Sequence, residues 1–153
     1  MRPVARSSQT LGLVALVISG VVTKQAVQIQ EFTKTCAYSK STLSDGHHWL
    51  RTACRHDMMA VWGYDTTWLD LDNCVGNLAG KLVVQDRGRY SASCSKCRLY
   101  KEWQIETMML ECSCIGLDGT VHITDLDLNT ALRNQHGTLA CFDHVGNSSA
   151  PRP

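Results

Sequence analysis

Cys94, Cys97, Cys112 and Cys114 place four thiols within one short window, SCSKC followed by CSC. Thiols so spaced do one of two things. Kept reduced, they can hold a zinc ion in a four-thiolate site; oxidised, they close disulfides. A second constellation, GHHWLRTACRHD, offers His47, His48, His56 and Asp57. Adjacent histidines on a strand point to opposite sides, so His47 and His48 do not readily face one ion, and no metal site is expected there. No nucleophile elbow, H-E-x-x-H pair or phosphate loop is present. Nothing singles out two carboxylates for glycoside chemistry. The expectation is a binding protein, not an enzyme, with no cofactor.

The choice between zinc and disulfides depends on the compartment. MRPVARSSQT carries Arg2 and Arg6 and no acid, and LGLVALVISGVV (11–22) is apolar but too short to span a bilayer. Residues 1–26 read as a secretory signal peptide, cut after Ala26 or nearer Gly20. No later segment is apolar enough to span a membrane. All eight cysteines follow Ala26, and an even number in a secreted chain implies a disulfide framework. A zinc-dependent intracellular module requires the leader to be misread. Removing the leader takes three basic residues and no acid, moving the net charge from +1 to about −2. A near-neutral chain has no electrostatic footprint for nucleic acid.

The elements that would carry these groups occur twice. LDLDNCVGNLAGKL (69–82) aligns without a gap on LDLNTALRNQHGTL (126–139), with six of fourteen positions identical. Upstream, Cys36 to Cys54 is eighteen positions and Cys94 to Cys112 is also eighteen, with an aromatic, Phe32 or Tyr90, four before each first Cys. The chain therefore reads as two tandem repeats, about 31–84 and about 89–142. Each has two Cys segments, then an Asp (Asp70, Asp127) able to cap a short helical turn, then a Gly (Gly80, Gly137) suited to positive φ, then a strand. Long helical periodicity is absent. The class is mainly β with short helical turns.

The equal spacing predicts Cys36–Cys54 and Cys94–Cys112, each worth about 3 kcal/mol in the chain-entropy model. Cys74, Cys97, Cys114 and Cys141 remain. In a hairpin closed by Cys94–Cys112, Cys97 and Cys114 diverge, which disfavours joining them. That leaves Cys74–Cys97 with Cys114–Cys141, which we favour, or the crossed pairing.

The F-x-x-x-C start, the LDL…N…G-x-L unit and its second copy resemble the cyanovirin-N homology family, most of all its secreted fungal members. The resemblance implies a pseudo-symmetric, two-lobed fold. Each lobe pairs a three-stranded sheet with a β-hairpin, and the repeats exchange segments. It also implies a lectin for mannose-rich glycans; the alternative is a secreted, disulfide-stabilised interaction protein of the same fold without sugar binding. Sites carried over by the resemblance lie near the two ends. One comprises Glu31, Lys34, Thr35, Arg55, Asp57, Asn134, Gln135 and His136. The other comprises Asn77, Ala79, Arg89, Ser93 and Ser113 and is weaker, because Ala79 has no polar side chain. Trp49, Trp62, Trp68 and Trp103 could stack on a sugar or fill a core. Asn147 opens an N-glycosylation sequon in a tail, 143–153, expected to be disordered. The link 85–93 resembles the family's hinge, implying a monomer with a minor domain-swapped dimer.

Overall fold

The computed structural model describes residues 31–44, 46–56, 63–102 and 104–148. The expected leader lies outside these residues, as do Asp57, Trp62 and Trp103.

Among the described residues eleven short strands follow one another. They are β1 (Thr42–Leu43), β2 (Trp49–Arg55), β3 (Tyr64–Asp70), β4 (Val75–Leu78), β5 (Lys81–Val84), β6 (Cys94–Glu102), β7 (Thr107–Ile115), β8 (Val121–Asp127), β9 (Arg133–Gln135), β10 (Thr138–Cys141) and β11 (His144–Val145). The sheets are β1-β2-β3, β4-β5, β6-β7-β8 and β11-β10-β9, and every pairing is antiparallel. Alternation orients the strands: Leu50, Thr52 and Cys54 of β2, like Met108, Leu110, Cys112 and Cys114 of β7, are buried.

The lobes mix the repeats, as the resemblance implied. The β9–β10 hairpin of the second repeat packs on β3 and β2 of the first, and β5 of the first packs on β8 and β7 of the second. One apolar cluster joins both, with Phe32, Tyr90, Leu71, Leu128, Leu82 and Leu139 at most 1% exposed. The two aromatics that lead the repeats are thus core anchors. Tyr90 donates its hydroxyl to the His47 carbonyl, and burial pushes its phenol far above the usual range.

Small polar devices hold the exchanged parts in place, again in duplicate. Asp70 Oδ1 accepts from the Asp72 amide at 3.0 Å and Asp127 Oδ1 from the Asn129 amide at 2.9 Å, each capping a 3₁₀ turn. The next polar residue docks the start of the other repeat. Asn129 Oδ1 accepts from the Thr33 amide and hydroxyl, and Asp72 from the Ser91 amide and hydroxyl.

Two sequence expectations need correction. The disulfides are Cys36–Cys54, Cys74–Cys141, Cys94–Cys114 and Cys97–Cys112. Cys36–Cys54 stands, but Cys94–Cys112 does not form, nor do Cys74–Cys97 and Cys114–Cys141. The register explains this. Cys94 faces Cys114, and a bulge between Ser95 and Arg98, with Lys96 at φ 52°, inserts one residue into β6. That extra residue brings Cys97 level with Cys112. The second correction concerns the tail. Residues 144–145 form β11 on β10, and Asn147 exchanges two backbone hydrogen bonds with Trp68, at 2.7 and 2.9 Å. Order therefore extends to at least Asn147, and residues 149–153 lie outside the described residues.

Candidate functional site

Each lobe ends in a tight hairpin turn of the same construction. Ala79-Gly80 joins β4 to β5, and His136-Gly137 joins β9 to β10. Both pairs have positive φ, 52° and 90° in one turn and 52° and 89° in the other. This is the primed turn that matches strand twist, and it explains why glycine stands second. An asparagine braces each turn. Asn77 Oδ1 accepts from the Gly80 amide at 2.8 Å, and Asn134 Oδ1 from the Gly137 amide at 2.9 Å.

The asparagines differ in the partners their amides find among the described residues. Asn77 Nδ2 donates to Ser93 Oγ and to the Ile115 carbonyl, both at 2.9 Å, which uses both of its hydrogens. Asn134 Nδ2 donates to the Arg55 carbonyl at 2.9 Å, which uses one. Both side chains primarily build the turn, and any ligand would meet the residues that surround them.

Around the Gly137 turn those residues are polar. Glu31 bridges to Arg133 through the backbone, placing the first-repeat segment beside β9. Lys34 extends over that edge, 3.9 Å from the Glu31 carboxylate and 3.5 Å from Glu106. Gln135 accepts from Arg133 Nη2 at 3.3 Å, and His136 is exposed at the turn tip. His56 lies against Gly137, where an added Cβ would meet its ring at 2.9 Å, and it pairs with Asp65. Thr35 Oγ1 is buried and bonds to no described residue, so it faces inward. Of the first carried-over set, the structure brings Glu31, Lys34, the Arg55 backbone, Asn134, Gln135 and His136 to one end. Asp57 lies outside the described residues.

The Gly80 turn has a different rim. Asp118, Thr120 and His122 form a chain beside it. The Thr120 hydroxyl donates to Asp118 Oδ1 at 2.7 Å, so it accepts from His122 Nε2 at 2.7 Å. The Thr120 hydrogen bonds hold the Asp118 carboxyl below its usual range. The His122 ring packs on Gly80, where a Cβ would lie 2.5 Å away. Exposed Leu78, Leu117 and Val121 make the rest of this end apolar. Of the second set, Asn77 and Ser93 are hydrogen-bonded and Arg89 bridges Gly76. No hydrogen bond joins Ser113, on the outer face of β7, to them. Sequence reasoning missed Asp65, Asp118, Thr120 and His122. The fifty-seven-residue repeat offset sets His122 level with Asp65, a signal that was there to be read.

Asp86, Asp143 and His144 also converge, with ligand atoms within 4.8 Å of one another. Arg87 lies 3.6 Å from Asp86 and 3.9 Å from Asp143 and already balances that charge.

Comparison with known proteins places this geometry. The family model of the CVNH domain matches residues 32–147. GzCVNH of Gibberella zeae is 25% identical with a TM-score of 0.63, covering 72% of this chain and 96% of that one. The designed cyanovirin-N homolog lectin LKAMG is also 25% identical at a TM-score of 0.63, covering 73% and 99%. The microvirin:mannobiose complex, at 24% identity and a TM-score of 0.59, covers 73% of this chain and 98% of that one and shows the shared fold alone. No curated protein matches the chain.

Proposed function

The chain belongs to the CVNH domain family, and on that premise we propose that it is a secreted carbohydrate-binding lectin for mannose-type oligosaccharides. It acts as a binder without catalysis, and the glycan is its partner. Support for secretion comes from four disulfides, which suit an oxidising compartment. Support for the ligand class comes from the family, which includes a lectin and a mannobiose complex among its solved structures. Among the described residues no helix is long and apolar enough to cross a membrane.

The working site in this reading is the Gly137 end. The observation that carries it is the rim: a rigid turn ringed by Lys34, Glu31, Gln135, His136 and the His56–Asp65 pair. Sugar hydroxyls need donors and acceptors fixed at such an edge. The exposed Leu78, Leu117 and Val121 at the Gly80 end favour, for that end alone, the second reading: a protein-binding surface on the same fold.

Calorimetry with oligomannose tests the assignment. Asn77→Ala and Asn134→Ala each remove a turn brace, and Asn77→Ala removes one further hydrogen bond, so denaturation midpoints are read alongside binding. Binding is expected to survive Asn77→Ala and to weaken several-fold in Asn134→Ala and in Gln135→Ala. Loss in Asn77→Ala alone would reverse the assignment, and silence across a broad glycan array would leave the interaction-protein reading.

We further propose a monomer with a minor swapped dimer. The link is pinned: Arg87 and Arg89 amides donate to the Asn73 and Asp72 carbonyls, and a Cβ on Gly88 would meet Gly76 at 2.5 Å. Light scattering after size exclusion should find the monomer dominant at every concentration. A single obligate oligomer at all dilutions contradicts this.

A further inference from the structure

The outer face of β2–β3 carries a cavity that belongs to neither turn. Strand register sets Trp49 opposite Asp70 and Trp68 opposite Arg51, all on the side away from buried Leu50 and Leu69. The C-terminal segment crosses this face and forms its second wall. Gly146 donates to the Leu139 carbonyl at 2.8 Å, and Asn147 pairs with Trp68 through both backbone groups. The approach is close enough that a Cβ on Gly146 would lie 2.3 Å from the Trp68 carbonyl oxygen. The half-open cavity measures about 280 Å³ and is lined by Trp49, Trp68, Asp70, Asn73, His144 and Asn147, among others.

We propose that this cavity is a separate carbohydrate subsite, taking one pyranose ring against the indoles of Trp49 and Trp68 with its hydroxyls on Asp70 and Asn73. The volume falls just below the range of about 300–1,000 Å³ for pockets that hold drug-sized ligands, which leaves room for one sugar ring. A pyranose presents C–H groups on one face and hydroxyls around its edge. The lining has the same division, with two half-buried aromatic surfaces beside carboxylate and amide groups. Asp70 Oδ1 accepts from the Asp72 amide, while Oδ2 and the Asn73 side chain make no hydrogen bond among the described residues. Burial raises the Asp70 carboxyl, as expected of an acceptor short of donors. Among the described residues the other lobe shows no counterpart. Its equivalent positions hold Met109 and Asp125, Tyr100 donates to Asp125 at 2.9 Å, and Arg98 pairs with Glu111 at 2.7 Å. The subsite is therefore a property of one lobe and does not depend on the turn reading.

The test uses oxidised full chain carrying Ser149→Ala, which removes the sequon and leaves Asn147 in place. Indole N–H signals are followed by ¹H–¹⁵N NMR during titration with mannobiose and, separately, with N,N′-diacetylchitobiose. Saturable shifts of the Trp49 and Trp68 signals are expected with at least one sugar. Asn73→Ala, whose lost side chain makes no hydrogen bond among the described residues, should weaken them by about threefold to tenfold. Indole signals silent to both sugars overturn the proposal, whether or not the Gly137 amide shifts. Shifts that neither Asn73→Ala nor Trp68→Phe diminishes overturn it too. Shifting indoles with a silent Gly137 amide would sink the turn assignment and leave the subsite standing.

Discussion

Where the lobe of β6–β8 bridges its first two strands with Cys97–Cys112, the lobe of β1–β3 sets a hydrogen bond of 2.9 Å between Ser41 and Thr52. The positions correspond. Leu50 faces Leu43 and Leu69 in one sheet, as Leu110 faces Leu99 and Leu126 in the other. Ser41 and Cys97 each stand two before the first leucine, and Thr52 and Cys112 two after the second. By the same register Cys54 corresponds to Cys114, so Cys36–Cys54 and Cys94–Cys114 are one bridge made twice. Thr67 and Thr124 hydroxyls accept from the Leu139 and Leu82 amides, each at 3.1 Å. What is duplicated is buried or braces a turn. Apart from the Cys97–Cys112 bridge, these differences are outward: Trp49 and Trp68 against Met109 and Asp125, and exposed Leu78, Leu117 and Val121 at one end alone. Most contacts that specify the fold are kept in both copies, the Cys97–Cys112 bridge against the Ser41–Thr52 hydrogen bond being an exception, whereas the surfaces diverge more freely.

A bridge with no counterpart of any kind among the described residues is Cys74–Cys141, which ties the first repeat to the second across the core. Its separation of 67 residues is the largest of the four, and the chain-entropy model assigns such a closure about 4 kcal/mol. Cys74→Ser with Cys141→Ser should thus show the largest loss, read as a lower denaturant midpoint. Cys97→Ser with Cys112→Ser should cost less than about 3 kcal/mol, because Cys94–Cys114 already closes the surrounding loop. The converse experiment makes the lobes alike. Ser41→Cys with Thr52→Cys should form a fifth bridge, detectable by peptide mapping, and raise stability by up to about 3 kcal/mol. Failure to oxidise would mean that the two strand pairs are not equivalent.

The same comparison explains which features the sequence made legible. The LDL…N…G-x-L unit announced its caps, turns and strands because each depends on a local rule: an aspartate before a 3₁₀ turn, or a glycine at positive φ. Phe32 and Tyr90 marked the start of each repeat, and only the structure shows them as core anchors. The disulfides of the second lobe were not legible from spacing. The matching eighteen-residue steps arise by offsetting changes: the first lobe inserts the Tyr38–Lys40 turn before β1, and the second lengthens the β6–β7 hairpin and bulges at Lys96. Nothing local marks such compensation. The ordered tail was missed because its partner, Trp68, is distant in sequence. At the candidate site the asparagines were found for their polarity, yet their hydrogen bonds face inward to the turn. His122, Asp118 and Thr120 gather only when β8 folds beside Gly80.

Substituting the turn glycines probes those gatherings at the next level of effect. Both residues sit near φ 90°, so alanine at either costs about 1–2 kcal/mol for backbone conformation alone. At Gly137 the new methyl meets the His56 ring first, at 2.9 Å, an exposed side chain able to move aside. At Gly80 it meets the His122 ring at 2.5 Å, with Gly116 backbone behind at 3.3 Å. Gly80→Ala should therefore lower the urea midpoint further than Gly137→Ala. Equal losses would show that backbone conformation, not the histidine packing, sets the cost.

The smallest expected effect separates the two capping aspartates. Next to Asp70 in its turn stands Asp72, a second carboxylate, where Asp127 has the neutral Asn129. Asp70 is raised above the model-compound value of 3.8, chiefly by burial and further by Asp72, and the Asp72 amide opposes this only in part. A carboxyl whose folded pKa exceeds its unfolded one holds its proton more tightly when folded. Its contribution is therefore most favourable below 3.8 and declines as pH rises through the interval above it, the reverse of a salt-bridged acid. Asp70→Asn keeps an oxygen for the Asp72 amide, and asparagine caps as well as aspartate. The variant should match wild type in strong acid and gain on it as pH climbs past that interval. Denaturation midpoints at a series of pH values from acid to neutral would show this. A variant that loses stability on wild type as pH rises would mean that the ionised Asp70 is held by donors, and that the cavity beside it is not short of them.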